Sequence, residues 1–250
     1  MASNCKYNKK NVIIKALPSF FHIFAHIIAH NAKTCSLLPI SNMNAIMQKA
    51  PLIAISRHRL AVDGEGVTTL VAFHGCTLHC RYCLNRQCLQ PDGLWCEMST
   101  CELLEAVRID NLYYLATGGG ITFGGGEPCL RSQFIEEFCQ MADSQWKINI
   151  ETCLNVGHEH VERLLPVVDK WIVDIKDTDN EVYKSYTGKS NQQALDNLRW
   201  LMSHDGMAEK VRVRLPLIPE YNTRGHVNRS RAMLSEMGVI QFDEFNYIIR

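Results

Sequence analysis

The first 62 residues of this 250-residue sequence contain no aspartate and no glutamate, although they carry eight lysines and arginines. The remaining 188 residues therefore hold all 26 acidic side chains and 18 of the 26 basic ones, a net charge of −8. An acidic body of this kind argues against nucleic acid as the main partner. It is long enough to bury the core of one substantial domain.

The sequence also lacks an apolar run long enough to cross a bilayer. The best candidate, from Ala16 to Ala29, is interrupted by Pro18 and by two histidines. A membrane helix needs about 20 predominantly apolar residues, so this stretch is too short and too broken. We therefore expect no membrane partner.

Residues 1–50 do not match the rest of the chain in charge, and the recognisable domain is expected at 53–250. Met43 and Met47 precede that domain, which favours an overextended start, and we expect the extension to be dispensable. A basic, acid-free signal or transit peptide is the alternative. Three histidines of the extension recur every four residues, which would align them on one helix face as a metal-binding stripe or an incidental polar face: His22, His26 and His30.

The eleven cysteines do not form the pattern of a secreted disulfide framework, because their number is odd and they cluster at one loop. Metal chemistry in a reducing compartment fits better, so a cytoplasmic location is expected. Cys88, Cys96 and Cys101 lack the close spacing of a second cluster and are interpreted as ordinary thiols.

The densest cysteine group is Cys76-Thr77-Leu78-His79-Cys80-Arg81-Tyr82-Cys83, spaced C-x3-C-x2-C. It follows an apolar run, Val67 to Phe73, which is typical of a strand that empties into a loop. Closely spaced thiolates hold iron–sulfur clusters, usually four of them, and three ligands would leave one iron open.

A structural zinc site is the alternative interpretation of this loop. Its fourth ligand would be His74, His79 or Cys88. Zinc sites commonly pair two C-x2-C units, however, and the chain has no second one.

A glycine-rich segment, Gly118 to Pro128, contains a short apolar β-strand between two glycine triplets. Glycine lets a ligand approach the backbone closely. The lysine of a phosphate loop is absent, and no helix opens in the register of a dinucleotide fingerprint.

Strands alternate with helices from Val67 to Phe242, which predicts a parallel sheet. Six strand starts are too few for a closed eight-stranded barrel, so we expect a partial (β/α)6 barrel. Chemistry in such barrels sits at the carboxyl ends of the strands. The candidates at or near those ends are Cys76 to Cys83, Gly124 to Glu127, Glu151, Thr152, Asp174, Lys176 and Arg214.

Asp174 and Lys176 flank Ile175 on the fourth predicted strand, so both side chains face one side. A buried acid and base are costly unless they pair or bind a ligand. Either they pair only with each other, or a ligand completes the site.

The cysteine loop, with Tyr82 before its last cysteine, resembles the signature of radical S-adenosylmethionine (SAM) enzymes. Tyr82-Cys83-Leu84-Asn85 is similar to the Tyr-Cys-His-Asn of glycyl radical enzyme activases such as pyruvate formate-lyase activating enzyme. The resemblance covers about residues 53–250, without a ferredoxin-like insert, and implies the radical SAM type of partial barrel.

This resemblance implies a [4Fe-4S] cluster on Cys76, Cys80 and Cys83, and SAM bound at its open iron. Gly-Gly-Glu-Pro looks like the segment that meets the SAM amino group. The residues that would surround SAM are Tyr82, Gly124, Gly125, Gly126, Glu127, Glu151, Thr152, Asp174, Lys176 and Arg214. Glu151, Thr152 and Asp174 could also hold a monovalent cation against the SAM carboxylate.

The stretch from Ser56 to Gly66 is polar and turn-like, and it contains Asp63-Gly64-Glu65-Gly66, whose two glycines indicate a tight turn before the first strand. The resemblance adds a second interpretation, because activases carry an Asp-Gly-x-Gly segment close to the substrate peptide. Asp63 is therefore a candidate substrate contact.

The implied activity is reductive cleavage of SAM to a 5′-deoxyadenosyl radical that abstracts hydrogen from a glycine of a partner enzyme. The implied partners are a glycyl radical enzyme and a flavodoxin- or ferredoxin-type electron donor, with the chain itself a monomer. Two alternatives stay open: a radical SAM reaction on another peptide or a small molecule, and a non-catalytic zinc- or cluster-binding protein.

Three departures from the activase pattern stand out. Leu84 replaces a histidine, and Glu220 replaces the glycine of Ile-Pro-Gly-Tyr-Asn. The sequence also stops at Arg250, where longer activases continue into a Leu-Pro-Tyr-His segment that contacts the ribose. These departures concern the adenosine side of the expected site.

Overall fold

A computed structural model of the chain describes residues 48–60 and 62–247. It contains eight strands: β1 (Lys49–Leu60), β2 (Val67–Phe73), β3 (Cys96–Ser99), β4 (Gly120–Gly125), β5 (Lys147–Thr152), β6 (Lys170–Asp174), β7 (Val211–Leu217) and β8 (Gln241–Asn246). They form one sheet in the order β3-β1-β2-β4-β5-β6-β7-β8.

Eight α-helices accompany the strands in the described residues. They are α1 (Thr100–Val107), α2 (Asn111–Thr117), α3 (Ser132–Met141), α4 (His158–Leu164), α5 (Asn180–Thr187), α6 (Gln192–Met202), α7 (Met207–Lys210) and α8 (Arg224–Glu236). No helix within the described ranges is long and apolar enough to cross a membrane.

Six strands pair in parallel, each with the next, in the order β2, β4, β5, β6, β7 and β8. This confirms the predicted arrangement of six β/α units. Their apolar side chains form the core together with the helices, and Trp171, Phe123 and Ile150 are fully buried there. All six carboxyl ends consequently meet at one edge of the sheet, as a β/α barrel requires.

The prediction of a polar turn from Ser56 to Gly66 was wrong at its start. Residues up to Leu60 belong to β1, which runs antiparallel to β2. The pairing shifts between Ser56 and Arg59, where His58 has a positive φ of 56°. This bulge breaks the alternation of polar and apolar residues by which a strand is recognised.

Helix α1 begins as its sequence indicates. The Ser99 hydroxyl accepts from the backbone N–H of Glu102, and the Glu102 carboxylate accepts from the Ser99 N–H, which completes a capping box. The strand before it, β3, and helix α2 after it were not predicted.

Several expectations fall on residues that lie outside the described ranges. These are the histidine stripe, the apolar stretch at 16–29 and the last residues of the chain. The predicted domain boundary is not tested, although β1 already begins at Lys49.

Candidate active site

The cysteine loop leaves the carboxyl end of β2 and is held by backbone hydrogen bonds from several sides. The Gly75 N–H donates to the carbonyl of Cys88 (2.8 Å), and the Glu127 N–H donates to the carbonyl of Gly75 (2.8 Å). Farther along the loop, the His79 N–H donates to the carbonyl of Thr187 at the end of α5 (2.9 Å). Three neighbouring segments of the chain therefore anchor the loop.

Cys76, Cys80 and Cys83 are partly buried, and none of them is in a disulfide. Cys76 and Cys80 pack against a small apolar cluster of Leu78, Cys153 and Tyr183. Burial raises the pKa of Cys80 to about 12, although the positive charge of Lys176 opposes the shift. Lys176 thus lies within electrostatic range of this thiol and would stabilise its thiolate.

Two further thiols adjoin the loop. Cys88 donates a hydrogen bond to Cys83 and lowers the Cys83 pKa to about 6. The neighbouring Cys153 also lowers the pKa of Cys76 below its ordinary value. Cys88 was interpreted from the sequence as an ordinary thiol. Cys153 was not considered, although it directly follows the predicted strand-end residue Thr152. A thiolate is the form that ligates metal, so both neighbours favour metal binding by the loop.

No three histidine, cysteine, aspartate or glutamate side chains in the described parts of the chain come close enough together to hold a single metal ion.

The second glycine triplet lies directly beside the cysteine loop. A side chain on Gly125, which has a φ of 95°, would meet the backbone of Ala72 and Phe73 at about 2.7 Å. One on Gly126 would meet the carbonyl oxygen of Gly75 at 2.1 Å. These glycines are therefore required for the close approach of β4 to β2, and the Asn85 amide donates to the Gly125 carbonyl across the two loops (2.9 Å).

Glu127 is buried and fully occupied by hydrogen bonds. Its carboxylate accepts from the Thr152 hydroxyl (2.6 Å), the Cys129 N–H (3.0 Å) and the N–H and thiol of Cys153 (2.8 and 2.9 Å). The side chain ties the turn after β4 to the end of β5. It acts here as an internal brace of the loop whose backbone was expected to meet SAM.

Three charged side chains lie on one face of the sheet at the ends of β5, β6 and β7. Glu151 lies opposite Ile172, two residues before Asp174, and Asp174 lies opposite Arg214. Since side chains alternate along a strand, this register places all three on one face.

Arg214 joins the two acids of this face. Its Nε donates to Asp174 Oδ1 (2.6 Å), and its Nη1 donates to Glu151 Oε1 (2.9 Å). Lys176 Nζ donates to the second oxygen of Asp174 (3.0 Å). Burial alone would raise the pKa of Asp174, but the two cations outweigh it and hold that pKa well below its usual range.

The pattern of the radical SAM superfamily matches residues 70–225, which include the cysteine loop, the glycine segment and the charged ends of β5 to β7. This chain belongs to the radical SAM superfamily.

Radical SAM relatives with known roles include activating enzymes. The chain is 37% identical over 166 residues to the (2S)-3-sulfopropanediol dehydratase activating enzyme of Klebsiella oxytoca, covering 63% of this chain and 49% of that protein. It is 32% identical over 161 residues to the pyruvate formate-lyase-activating enzyme of Clostridium pasteurianum, covering 63% of this chain and 65% of the relative. The chain thus spans about half to two thirds of the length of these relatives.

Solved radical SAM structures show the same fold. SuiB of Streptococcus suis, bound to the precursor peptide SuiA, superposes with a TM-score of 0.54 at 15% identity, covering 69% of this chain and 37% of that one. The enzyme anSMEcpe with bound AdoMet gives a TM-score of 0.52 at 18% identity, covering 70% and 49%. At these identities the likeness concerns the partial barrel only.

Radical SAM membership implies an iron–sulfur cluster and SAM, and the cysteine loop fits the cluster. Three unbridged thiols on one anchored loop face a lysine and an apolar shell. The Leu78 N–H donates to Cys76 Sγ (3.5 Å), as backbone N–H groups do toward cluster sulfurs. The buried Tyr183 hydroxyl has no partner among the described residues, so it can donate to a group bound at the loop.

The residues expected to hold a monovalent cation do not fit one. Thr152 turns its hydroxyl to Glu127, on the side of the strand opposite to Glu151. Glu151 and Asp174 are already joined by the Arg214 guanidinium.

Asp63 lies at the opposite end of the sheet from the cysteines. It follows β1, whose last residue pairs with Val67 at the start of β2. It is buried, with its carboxylate paired to Arg59 and its carbonyl accepting from the Thr122 hydroxyl (2.8 Å). In the structure this loop closes the amino end of the parallel strands.

Tyr82 is held by one of the residues that depart from the activase pattern. Its hydroxyl donates to Glu220 Oε2 (2.9 Å), and Glu220 adopts a φ of 70° that normally favours glycine. The Tyr247 hydroxyl donates to the Tyr82 carbonyl (2.8 Å). Three further tyrosine rings contact the Tyr82 ring: Tyr186, Tyr221 and Tyr247.

Proposed function

We propose that this chain is a glycyl radical enzyme activating enzyme, with a [4Fe-4S] cluster held by Cys76, Cys80 and Cys83. The observation that carries the proposal is the 32–37% sequence identity to two activating enzymes over 161 and 166 residues. When bound, the cluster and SAM supply one-electron cleavage of SAM and hydrogen abstraction from a glycine Cα.

The chain's own residues position these groups. The anchored loop fixes the three thiolates, and Lys176 stabilises the negative charge on Cys80 and Cys83. Asp174 and Lys176 lie within electrostatic range of Cys80, so a SAM molecule at the open iron would come near both charges. The protein contributes position and exclusion of water, and the cofactors contribute the difficult chemical step.

The proposal also names two protein partners. A glycyl radical enzyme is the protein substrate, and a flavodoxin- or ferredoxin-type protein is the electron donor. Support comes from the two relatives, which are activating enzymes of (2S)-3-sulfopropanediol dehydratase and of pyruvate formate-lyase.

The test is an anaerobic assay of the reconstituted full chain with reduced flavodoxin, SAM and one of two protein substrates. The substrates are (2S)-3-sulfopropanediol dehydratase and pyruvate formate-lyase. We expect methionine and 5′-deoxyadenosine to form, and a glycyl radical signal to appear by paramagnetic resonance in at least one substrate. A Cys83→Ser variant is the control, because it removes a cluster ligand at the same loop.

Other outcomes point to the alternatives. SAM cleavage without a glycyl radical on either substrate would contradict the activase proposal and favour a radical SAM reaction on another peptide or a small molecule. A protein that binds zinc or a cluster but never cleaves SAM would be a non-catalytic metal-binding protein.

A further inference from the structure

The ends of β5, β6 and β7 contain two carboxylates, Glu151 and Asp174, that share one cation. Their side chains are 17% and 22% exposed, so both are largely removed from water. Arg214 reaches both of them through different nitrogens, at 2.9 Å and 2.6 Å. Its guanidinium therefore stands between the two acids.

The register of the strands fixes the relative positions of these three side chains. Asp174 and Arg214 are direct neighbours across β6 and β7, and Glu151 lies on the same face one strand farther away. The remaining oxygen of Asp174 is taken by Lys176 at 3.0 Å. On the other side, the Glu151 Oε2 atom lies against Gly124, where a β-carbon would approach it to 3.3 Å.

The balance of charge at these strand ends argues against an added cation. Two acids, Glu151 and Asp174, and two bases, Arg214 and Lys176, are joined here by ion pairs. An added potassium or sodium ion would introduce a positive charge without a partner in a poorly solvated space.

We propose that Arg214 is a built-in replacement for a monovalent cation. Its guanidinium takes the place that a potassium or sodium ion would fill between Glu151 and Asp174. The native protein then needs no such ion, and removal of the guanidinium leaves two adjacent carboxylates that form a new cation site.

Thermal denaturation of the full chain in potassium, sodium or choline chloride at equal ionic strength tests this directly. The parent protein is expected to have the same melting temperature in all three salts. Arg214→Ala is expected to melt on the order of 5–10 °C lower in choline, because two buried acids lose their shared partner. Potassium, sodium or dilute guanidinium should restore much of that loss in a saturable way.

Ion binding gives a readout that a merely structural role would not change. Thallous ion, a spectroscopic stand-in for potassium, should show saturable NMR line broadening with Arg214→Ala and none with the parent. Arg59→Ala is the matched control, since it also removes a guanidinium from a buried acid but leaves only one carboxylate, that of Asp63. It should be destabilised without ion-specific rescue.

Arg214→Gln and Arg214→Lys complete the series. The neutral glutamine fills more of the space and should behave like alanine, whereas lysine keeps the charge and should remain insensitive to potassium. A parent protein that is specifically stabilised by potassium, or that broadens the thallium line, would overturn the proposal. So would neutral variants that respond to potassium no more than Arg59→Ala does, or that fail to fold even in potassium chloride.

Discussion

Both ends of the sheet contain a buried aspartate paired with an arginine, and they differ in what lies next to the pair. Near the amino end of β2, Asp110 is fully buried and accepts from Arg57, His58 at 2.9 Å and the Thr69 hydroxyl at 3.4 Å. At the carboxyl end, Asp174 binds Arg214 and Lys176, and Lys176 faces Cys80. Identical chemistry therefore anchors a helical turn at one end and borders the cysteine loop at the other.

Cys80 is the clearest difference between the two ends, and its removal should have the largest effect. Cys80→Ser is expected to abolish stable cluster binding and SAM cleavage, because a cluster with two protein thiolates is poorly held. Iron analysis and the visible absorbance of the anaerobic protein measure this. Cys139→Ser on α3 is the control and should keep its iron, while a Cys80→Ser protein with a full cluster would contradict the assignment.

Asp174→Asn should act on ligand binding and leave the fold and the cluster intact. Loss of a charged hydrogen-bonding partner near the SAM position is expected to weaken SAM binding by about ten- to a hundredfold. The effect of SAM on the paramagnetic resonance signal of the reduced cluster provides the titration. Binding as tight as that of the parent would identify Asp174 as only a core ion pair.

Asp110→Asn should show the opposite pattern. It is expected to lower the free energy of unfolding by about 3 kcal/mol, because the ion pair between buried Asp110 and Arg57 is broken. SAM binding and iron content should stay at the parental level. Glu105→Gln, which breaks the exposed ion pair with Arg108, is the control and should change stability little.

The pH dependence of stability sharpens this difference. Burial would raise the pKa of Asp110, but hydrogen bonds from Arg57 and His58 outweigh it and lower that pKa. A carboxyl group with a lowered folded pKa stabilises fully above its unfolded value of about 4, and the stabilisation is lost as the pH falls further. Denaturant unfolding should therefore show the gap between parent and Asp110→Asn closing below about pH 4. A gap that is constant down to pH 2 would contradict this.

Glu220 should give the smallest effect at the carboxyl end. Its hydrogen bond to Tyr82 is solvent-exposed, while its left-handed backbone is unfavourable for any residue with a side chain. Glu220→Gly loses the bond but relieves the backbone, whereas Glu220→Ala loses the bond and keeps the strain. We expect the glycine variant to be more stable than the alanine variant by about 1 kcal/mol. Equal stability would show that the backbone at 220 relaxes freely.

Strands β2, β4, β5, β6 and β7 could be predicted because their residues are mostly apolar or alternate between apolar and polar, and the bounds of β2 and β7 matched fully. Strand β1 was missed because a bulge at His58 disrupts its alternation. Helix α2 leaves Leu112 and Tyr113 exposed, so it lacks the apolar face by which helices are recognised.

The candidate site also has parts that the sequence predicts and parts that it does not. Strand-end positions follow from local sequence, so Asp174, Lys176 and Arg214 could be placed near one another. The pairing of Arg214 with both Glu151 and Asp174 depends on the order of three strands, which no local pattern contains. The antiparallel course of β1 likewise decides that Asp63 lies at the far end of the sheet.

An incomplete barrel leaves its sheet with two outer strands, and such edges can recruit a strand from another molecule. The outer strand on one side, β3, has only four residues. On the other side, β8 exposes Asp243 and Glu244, and Glu244 is held by Arg224 and Arg231 of α8. A short strand at one edge and charged side chains at the other are two protections against edge-to-edge aggregation, so the chain can keep an open barrel without becoming a template for fibres.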